Sequence, residues 1–183
     1  MDSLYSRGQA LFKIERGCMV SIGDVVVYGQ EVCTVVGKEK KGPDQEDYYV
    51  FCPVDDETMT IYAPKKFAKA RTRPIITPEG AEALIDRIPD IETVDVDDRS
   101  IEDVYKKLMK SGAPEDLVKV VKTAYLRSEA KHQKGLKKSE KDKTYFRAAE
   151  KLLYSELSVV LERTYDDTRD YLMSRVESLA EPA

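Results

Sequence analysis

Between Met19 and Arg73 the chain is patterned in short β-branched and alternating runs, and beyond Pro74 the apolar spacing lengthens to that of helices. Asp24-Val25-Val26-Val27-Tyr28 and Val32-Cys33-Thr34-Val35-Val36 predict two strands separated by Gly29-Gln30-Glu31. Lys38 to Asp47 is polar and contains Gly42-Pro43, which predicts a turn. Tyr48-Tyr49-Val50-Phe51-Cys52 predicts a third strand stopped at Pro53, whose nitrogen cannot donate to a ladder. Asp55-Asp56-Glu57 turns the chain into Thr58-Met59-Thr60-Ile61-Tyr62, closed by Pro64. Met59 and Ile61 are expected on one face of that fourth strand, Thr60 and Tyr62 on the other. Four short strands with tight turns predict a small, strongly bent sheet or half-open barrel.

The helical part opens at Thr77, a cap for a helix with Pro78 in first position and Ala81, Leu84, Ile85 and Ile88 on one stripe, ending before Pro89. Ser100 and Asp103 resemble a capping pair for a second helix with Ile101, Val104, Tyr105, Leu108 and Met109 inward, ended by Gly112. Pro114 starts a third, packing Leu117, Val120, Val121, Ala124 and Tyr125. Ser139 and Asp142 start a fourth, with Tyr145, Phe146, Ala149, Leu152, Leu153, Leu157, Val160 and Leu161. Thr164 caps a last helix running through Leu172, Val176 and Leu179. The expected fold is α+β in two modules: a small β-sheet over 19–75, then an all-α domain of about five helices over 76–183. Residues 1–18 are expected to be an N-terminal extension.

Composition narrows the class. With 42% hydrophobic and 35% charged residues the chain of 183 is too apolar to be disordered, and long enough for a core without staples. No apolar run approaches the roughly 18 residues of a membrane span, and the N-terminus lacks signal-peptide regions. A cytoplasmic monomer without membrane contact is expected. Cys18, Cys33 and Cys52 form no CxxC pair and are odd in number, which argues against a disulfide framework.

Enzymatic chemistry finds little support. The only histidine, His132, falls among lysines in what reads as a polar connector, with no carboxylate or thiol tied to it by spacing. Gly29 and Gly37-Lys38 are too far apart for a phosphate loop, and Glu39 stands where Ser or Thr is needed. Asp95, Asp97 and Asp98 lack the glycine and distal glutamate of a calcium loop and read as a solvated helix entrance. No enzyme, no cofactor and no metal site is expected.

A binding architecture remains, and here the sequence resembles a known family. Ser21-Ile22-Gly23-Asp24-Val25-Val26-Val27-Tyr28-Gly29 is very similar to the opening of CarD-like bacterial transcription regulators. Tyr48 to Val54, followed by Thr60-Ile61-Tyr62-Ala63-Pro64, resembles that family's central hairpin. Arg73-Pro74-Ile75 and Ala83 to Pro89 resemble its junction and first helix, and Val118 to Arg127 and Ala148 to Leu157 its later helices. The resemblance runs in unbroken order from about Met19 to Leu161. It implies a Tudor-like first module, shared with transcription-repair coupling factors, that docks on the RNA polymerase β-subunit lobe. It also implies a helical domain facing the upstream edge of the melted promoter. Extension of the partner's sheet along Thr60-Ile61-Tyr62, flanked by Lys38 and Lys65, is the expected polymerase contact.

Two departures from the family bear on function. Some relatives carry Arg where Tyr62 stands, so aromatic packing is expected in place of an ion pair. Many relatives place a tryptophan wedge before the second helix of the helical domain, whereas this chain has no tryptophan and offers Asp95-Val96-Asp97-Asp98-Arg99 there. From Asp86 to Asp103 eight acidic residues face Arg87 and Arg99, a net −6 that repels phosphate. From Arg127 to Lys143 the balance reverses to +4. The DNA-contact candidates are therefore Arg127, Lys131, Lys134, Lys137 and Lys138, with Arg99, Lys106, Lys107 and Lys110 beside them. Since the whole chain carries −4, DNA contact is expected to be weak and polymerase-assisted. Two functions follow: a polymerase-tethered promoter regulator that alters open-complex stability, or a polymerase-bound adaptor whose helices meet a protein. A free-standing nucleic-acid-binding module is disfavoured by the charge.

Overall fold

The computed structural model of the chain describes residues 20–180, so the expected extension over 1–18, and Met19 with it, lies outside the described residues. Among the described residues the fold is α+β, with five antiparallel strands and six helices. The chain divides into two compact units between Thr77 and Pro78.

In the first unit β1 (Val25–Tyr28), β2 (Glu31–Lys41), β3 (Glu46–Pro53), β4 (Ile61–Pro64) and β5 (Thr72–Pro74) form one open sheet in the order β4-β3-β2-β1-β5. Gly29 supplies the positive φ of 64° at the first turn residue of the β1–β2 hairpin, the conformation that matches strand twist. Its N–H donates to the Arg71 carbonyl at 2.9 Å, which fastens the turn to the far end of the unit. Register places Val26, Cys33, Val35, Phe51 and Ala63 in one buried face, where Tyr28 stacks on Phe51 with ring centroids 4.8 Å apart.

Four elements of this unit depart from the sequence expectation. The segment Lys38–Lys41, expected as a turn, continues β2; the turn is only 42–45. The reason is cross-strand pairing: Lys38 and Glu39 lie opposite Tyr49 and Tyr48, and Lys40 and Lys41 opposite Asp47 and Glu46, so the chain supplies opposite charges and aromatic rings rather than an apolar stripe. The fourth strand begins at Ile61, not Thr58, because Asp56 accepts from both the Thr58 amide and hydroxyl and holds 56–59 in a turn. Met59 and Thr60 are therefore exposed ahead of the sheet rather than on its faces. Finally, α1 (Lys65–Arg71) and β5 were not legible: the helix buries a single residue, Ala68, and leaves Phe67 exposed, so no period marks it. This helix carries the chain from the β4 edge to the β5 edge and packs against β3, β4 and β5.

The second unit holds α2 (Pro78–Arg87), α3 (Ile101–Ser111), α4 (Pro114–Gln133), α5 (Glu140–Val160) and α6 (Tyr165–Ala180). Its core joins Ala81, Leu84 and Ile85 of α2, Tyr105 and Met109 of α3, Leu117 and Val120 of α4, and Leu152, Leu153 and Leu157 of α5. Gly112 ends α3 at φ 61° and donates to the Leu108 carbonyl, Ser139 accepts from the Asp142 amide, and Thr164 accepts from the Asp167 amide. Ser100 does not cap α3: its φ/ψ are already helical, and the Oδ1 of Asp97 accepts from its amide at 2.7 Å instead. Tyr125, expected inward, is 55% exposed, and Val118 takes the buried place beside Leu117. His132 lies in the last turn of α4 rather than in a connector.

The stacked Phe51 fills the centre of the sheet's buried face, so Phe51→Ala is expected to destabilise the first unit by about 3–5 kcal/mol, read as a lowered midpoint in urea unfolding. An unchanged midpoint would contradict the packing described.

Candidate functional site

The polymerase-contact candidates fall in the first unit and are divided between the two sheet faces. Tyr62 lies opposite Val50, which lies opposite Gly37, all on the face away from the Phe51 core. It is 43% exposed on β4, an edge strand. Lys41 sets its ammonium over the Tyr62 ring, 2.9 Å from the centroid, a cation–π contact that the expected turn at Lys38–Asp47 concealed. Lys38 belongs to the opposite face, its ammonium 5.4 Å from the Tyr49 ring centroid. Lys65 pairs with Asp47 at 3.9 Å and the neighbouring Lys66 with Glu46 at 2.6 Å. Thr60 is exposed but precedes the strand. The structure thus brings Tyr62 together with Lys41 on one face of the edge strand, turns Ile61 to the Phe51 core on the other, and separates Lys38 and Thr60 from Tyr62.

In the second unit the acidic segment ahead of α3 is bound to α4. Thr123, Arg127 and Lys131 recur at helical spacing of four and face it. The Thr123 hydroxyl accepts from the Val94 amide at 3.0 Å, and Nη1 of Arg127 donates to the Val96 carbonyl at 3.0 Å. Asp98 pairs with Arg127 and with Lys131, the latter at 3.1 Å. Beneath them lies Asp142, with its side chain only 2% exposed, accepting from the Tyr105 hydroxyl at 3.0 Å and from Nε of Arg127 at 3.4 Å. One residue earlier on α4, Lys122 donates to the carbonyls of Ile88, Pro89 and Ile91 at 2.6–2.9 Å, closing the end of α2. No periodicity distinguishes Lys122 from a solvated lysine, and burial lowers its pKa.

This geometry sorts the DNA candidates. Arg127 and Lys131, expected to meet phosphate, are here engaged by Asp98 and Asp142 as counterions within the helical unit. Lys106 pairs with Glu102 at 3.0 Å and Asp103 at 3.9 Å, and Lys141 with Glu102 at 3.0 Å. Arg99, Lys107, Lys110, Lys134, Lys137 and Lys138 are exposed and hold no ion pair among the described residues. Lys134, Lys137 and Lys138 lie together in the α4–α5 hairpin, whereas Lys107 and Lys110 sit on α3. The aspartate cluster is likewise assigned: Asp97 caps α3, Asp98 binds α4, and Asp95 is exposed. Among the described residues no group of three or more His, Cys, Asp or Glu side chains is placed to hold a metal, and no helix is long and apolar enough to cross a membrane. No protein-family model matches the chain, and no curated protein does.

Removing Arg127 leaves Asp142 as a buried, poorly compensated charge, so Arg127→Ala is expected to destabilise the helical unit by roughly 3 kcal/mol. Reversing Lys134, Lys137 and Lys138 together is expected to change stability by no more than about 0.5 kcal/mol per site. Chemical denaturation of the two variants tests the distinction; equal losses would contradict it. The Ser100 amide holds the Asp97 carboxyl below its ordinary pKa, and the Lys131 ammonium does the same for Asp98. Depressed folded-state values contribute stability above the unfolded carboxylate pKa of about 4, and this is lost as pH falls through the folded values. Amide exchange at Val94 and Ser100 is therefore expected to accelerate below about pH 4 before the helices unfold, and uniform acceleration would exclude a local release.

Proposed function

We propose that the protein is a CarD-like promoter regulator: a Tudor-like first unit held on the RNA polymerase β-subunit lobe, and a helical unit that touches upstream promoter DNA and alters open-complex stability. The observation that carries the reading is the short edge strand β4, which presents Tyr62 on one face beside the Lys41 ammonium. An edge of this kind adds main-chain hydrogen bonds to a partner sheet, and the exposed ring supplies the specific contact. The motif order from Met19 to Leu161 supports the same assignment. The α4–α5 hairpin adds Lys134, Lys137 and Lys138 as uncommitted cations suited to phosphate. A chain of net charge −4 then acts on DNA only where polymerase raises the local concentration to roughly millimolar.

One observation favours the adaptor reading as well. Asp90, Glu92 and Asp95 are exposed on the segment ahead of α3 and hold no ion pair among the described residues, a face that suits a basic protein rather than phosphate. Promoter assays separate the two. Charge reversal at Lys134, Lys137 and Lys138 abolishes the effect if DNA is the partner. Neutralising Asp90, Glu92 and Asp95 abolishes it if a protein is.

The tether itself is tested by calorimetric titration of the full chain against the isolated β-subunit lobe. Tyr62→Ala is expected to weaken binding by about tenfold or more, the scale of an aromatic anchor at an interface, while the hairpin lysine reversals leave it unchanged. Equal affinity for wild type and Tyr62→Ala removes β4 as the contact. No binding by the wild type removes the polymerase reading altogether.

A further inference from the structure

Two half-buried cations of α4 are held by one buried carboxylate and one exposed carboxylate. The side chains of Arg127 and Lys131 are 19% and 22% exposed, and Asp142, fixed beneath them, is 2% exposed. Asp98, which pairs with both cations from the solvent side, is 65% exposed. Two positive charges balance two negative ones, but only Asp142 is locked in place. The carboxylate of Asp98 accepts only from Arg127 and Lys131 among the described residues. The segment that carries it is anchored by its neighbours instead. The Val94 amide donates to Thr123, the Val96 carbonyl accepts from Arg127, and Asp97 accepts from the Arg99 and Ser100 amides. The Asp98 side chain can therefore turn away from α4 without releasing the connection between α2 and α3.

A pair of cations that holds one oxyanion has the donors for another. The arginine supplies a planar set of N–H groups and the lysine a point charge, the combination that takes phosphate as readily as carboxylate. The stripe also continues into solvent. Arg127, Lys131 and Lys134 follow one another at spacings of four and three on one face of α4 and its C-cap, and Lys134 is exposed with no ion pair among the described residues. Lys106 is a different case, since its partners Glu102 and Asp103 lie on its own helix at ordinary helical spacing. An exposed ion pair such as that of Asp98 contributes little to stability, so the fold does not depend on it. We propose that Arg127 and Lys131 form a phosphate site closed by Asp98, whose carboxylate is a built-in competitor displaced when a DNA backbone arrives at Lys134. The proposal rests on the promoter-DNA reading above and adds a control on its affinity. A chain whose best-placed cations are covered binds phosphate only where another partner raises the local concentration of DNA.

The test is fluorescence anisotropy of the full chain on a labelled DNA duplex at low salt, with urea unfolding of each variant alongside. Asp98→Asn keeps the shape of the side chain and removes the competing charge, and is expected to tighten binding by about fivefold or more. Asp95→Asn removes the same unit of charge from an exposed position that covers no cation, and is expected to change affinity by less than about twofold. Lys131→Gln is expected to change wild-type affinity by less than about twofold yet to remove most of the gain of Asp98→Asn, a non-additivity that a general charge effect does not produce. A second measurement needs no variant: the NMR resonance of the Asp98 carboxyl carbon is expected to move toward that of a free aspartate as the wild type is saturated with duplex. Equal gains from Asp98→Asn and Asp95→Asn, a gain that survives Lys131→Gln, or an unmoved Asp98 resonance at saturation overturns the closed site while leaving DNA contact standing. Failure of both the wild type and Asp98→Asn to bind, alone or in a polymerase–promoter complex, overturns the closed site and the DNA reading together.

Discussion

Three helices of the second unit meet at Asp142, which with Glu156 is one of two buried carboxylates among its described residues. Asp142 lies in the first turn of α5 with a side chain 2% exposed, and removal of a carboxylate from water is unfavourable by several kcal/mol unless partners replace the lost hydration. Those partners come from α3, through the Tyr105 hydroxyl, and from α4, through Arg127 at 3.4 Å and Lys131 at 3.9 Å. Three helices are thereby placed relative to one another by one charge. Burial and the nearby carboxylate push the Tyr105 phenol up, so it remains a hydrogen-bond donor across the physiological range. Arg127 and Lys131 extend the same network to Asp98, and with Thr123 and Lys122 they fix the whole connection between α2 and α3.

That constraint redistributes charge in a way that bears on function. A stretch carrying seven cations between Arg127 and Lys143 looks like a continuous basic surface. The fold divides it: the residues on the inner side of α4 neutralise internal acids, and the uncommitted lysines concentrate at the hairpin tip. An acidic protein thus acquires a compact cationic point, without the broad basic face that unaided nucleic-acid binding requires. Under the proposed function, such a point would serve a weak, positioned contact rather than general affinity for DNA.

The sheet unit follows a different logic. Its centre is apolar and aromatic, built on Phe51 stacked against Tyr28, but its edges are set by the path of the chain. Helix α1 carries the backbone from β4 to the opposite edge, where β5 pairs with β1. β4 is only four residues long and ends at Pro64, dimensions that limit indiscriminate edge-to-edge pairing. What it displays is Tyr62 with Lys41 over its ring, a feature made by β2 running farther than its polar composition suggests.

The sequence by itself determined the α+β class, the β1–β2 hairpin and β3, and the five helices after Thr77, because these rest on local rules: β-branched runs, glycine at turns, proline and hydroxyl residues at helix starts, and apolar stripes at helical spacing. Where it misjudged a boundary, an unassigned partner had overridden local composition: Tyr48 and Tyr49 draw Lys38–Lys41 into a strand across the sheet, and Asp97, three residues earlier, takes the capping role expected of Ser100. Only the tertiary structure decided which charges are free. Asp98 and Arg127 are 29 residues apart and Tyr105 and Asp142 are 37 apart, so no spacing rule foretells that they meet. Charged side chains carry no mark of their partners until the helices are packed, and for that reason the division between engaged and uncommitted cations emerged from the fold rather than from the composition of the chain.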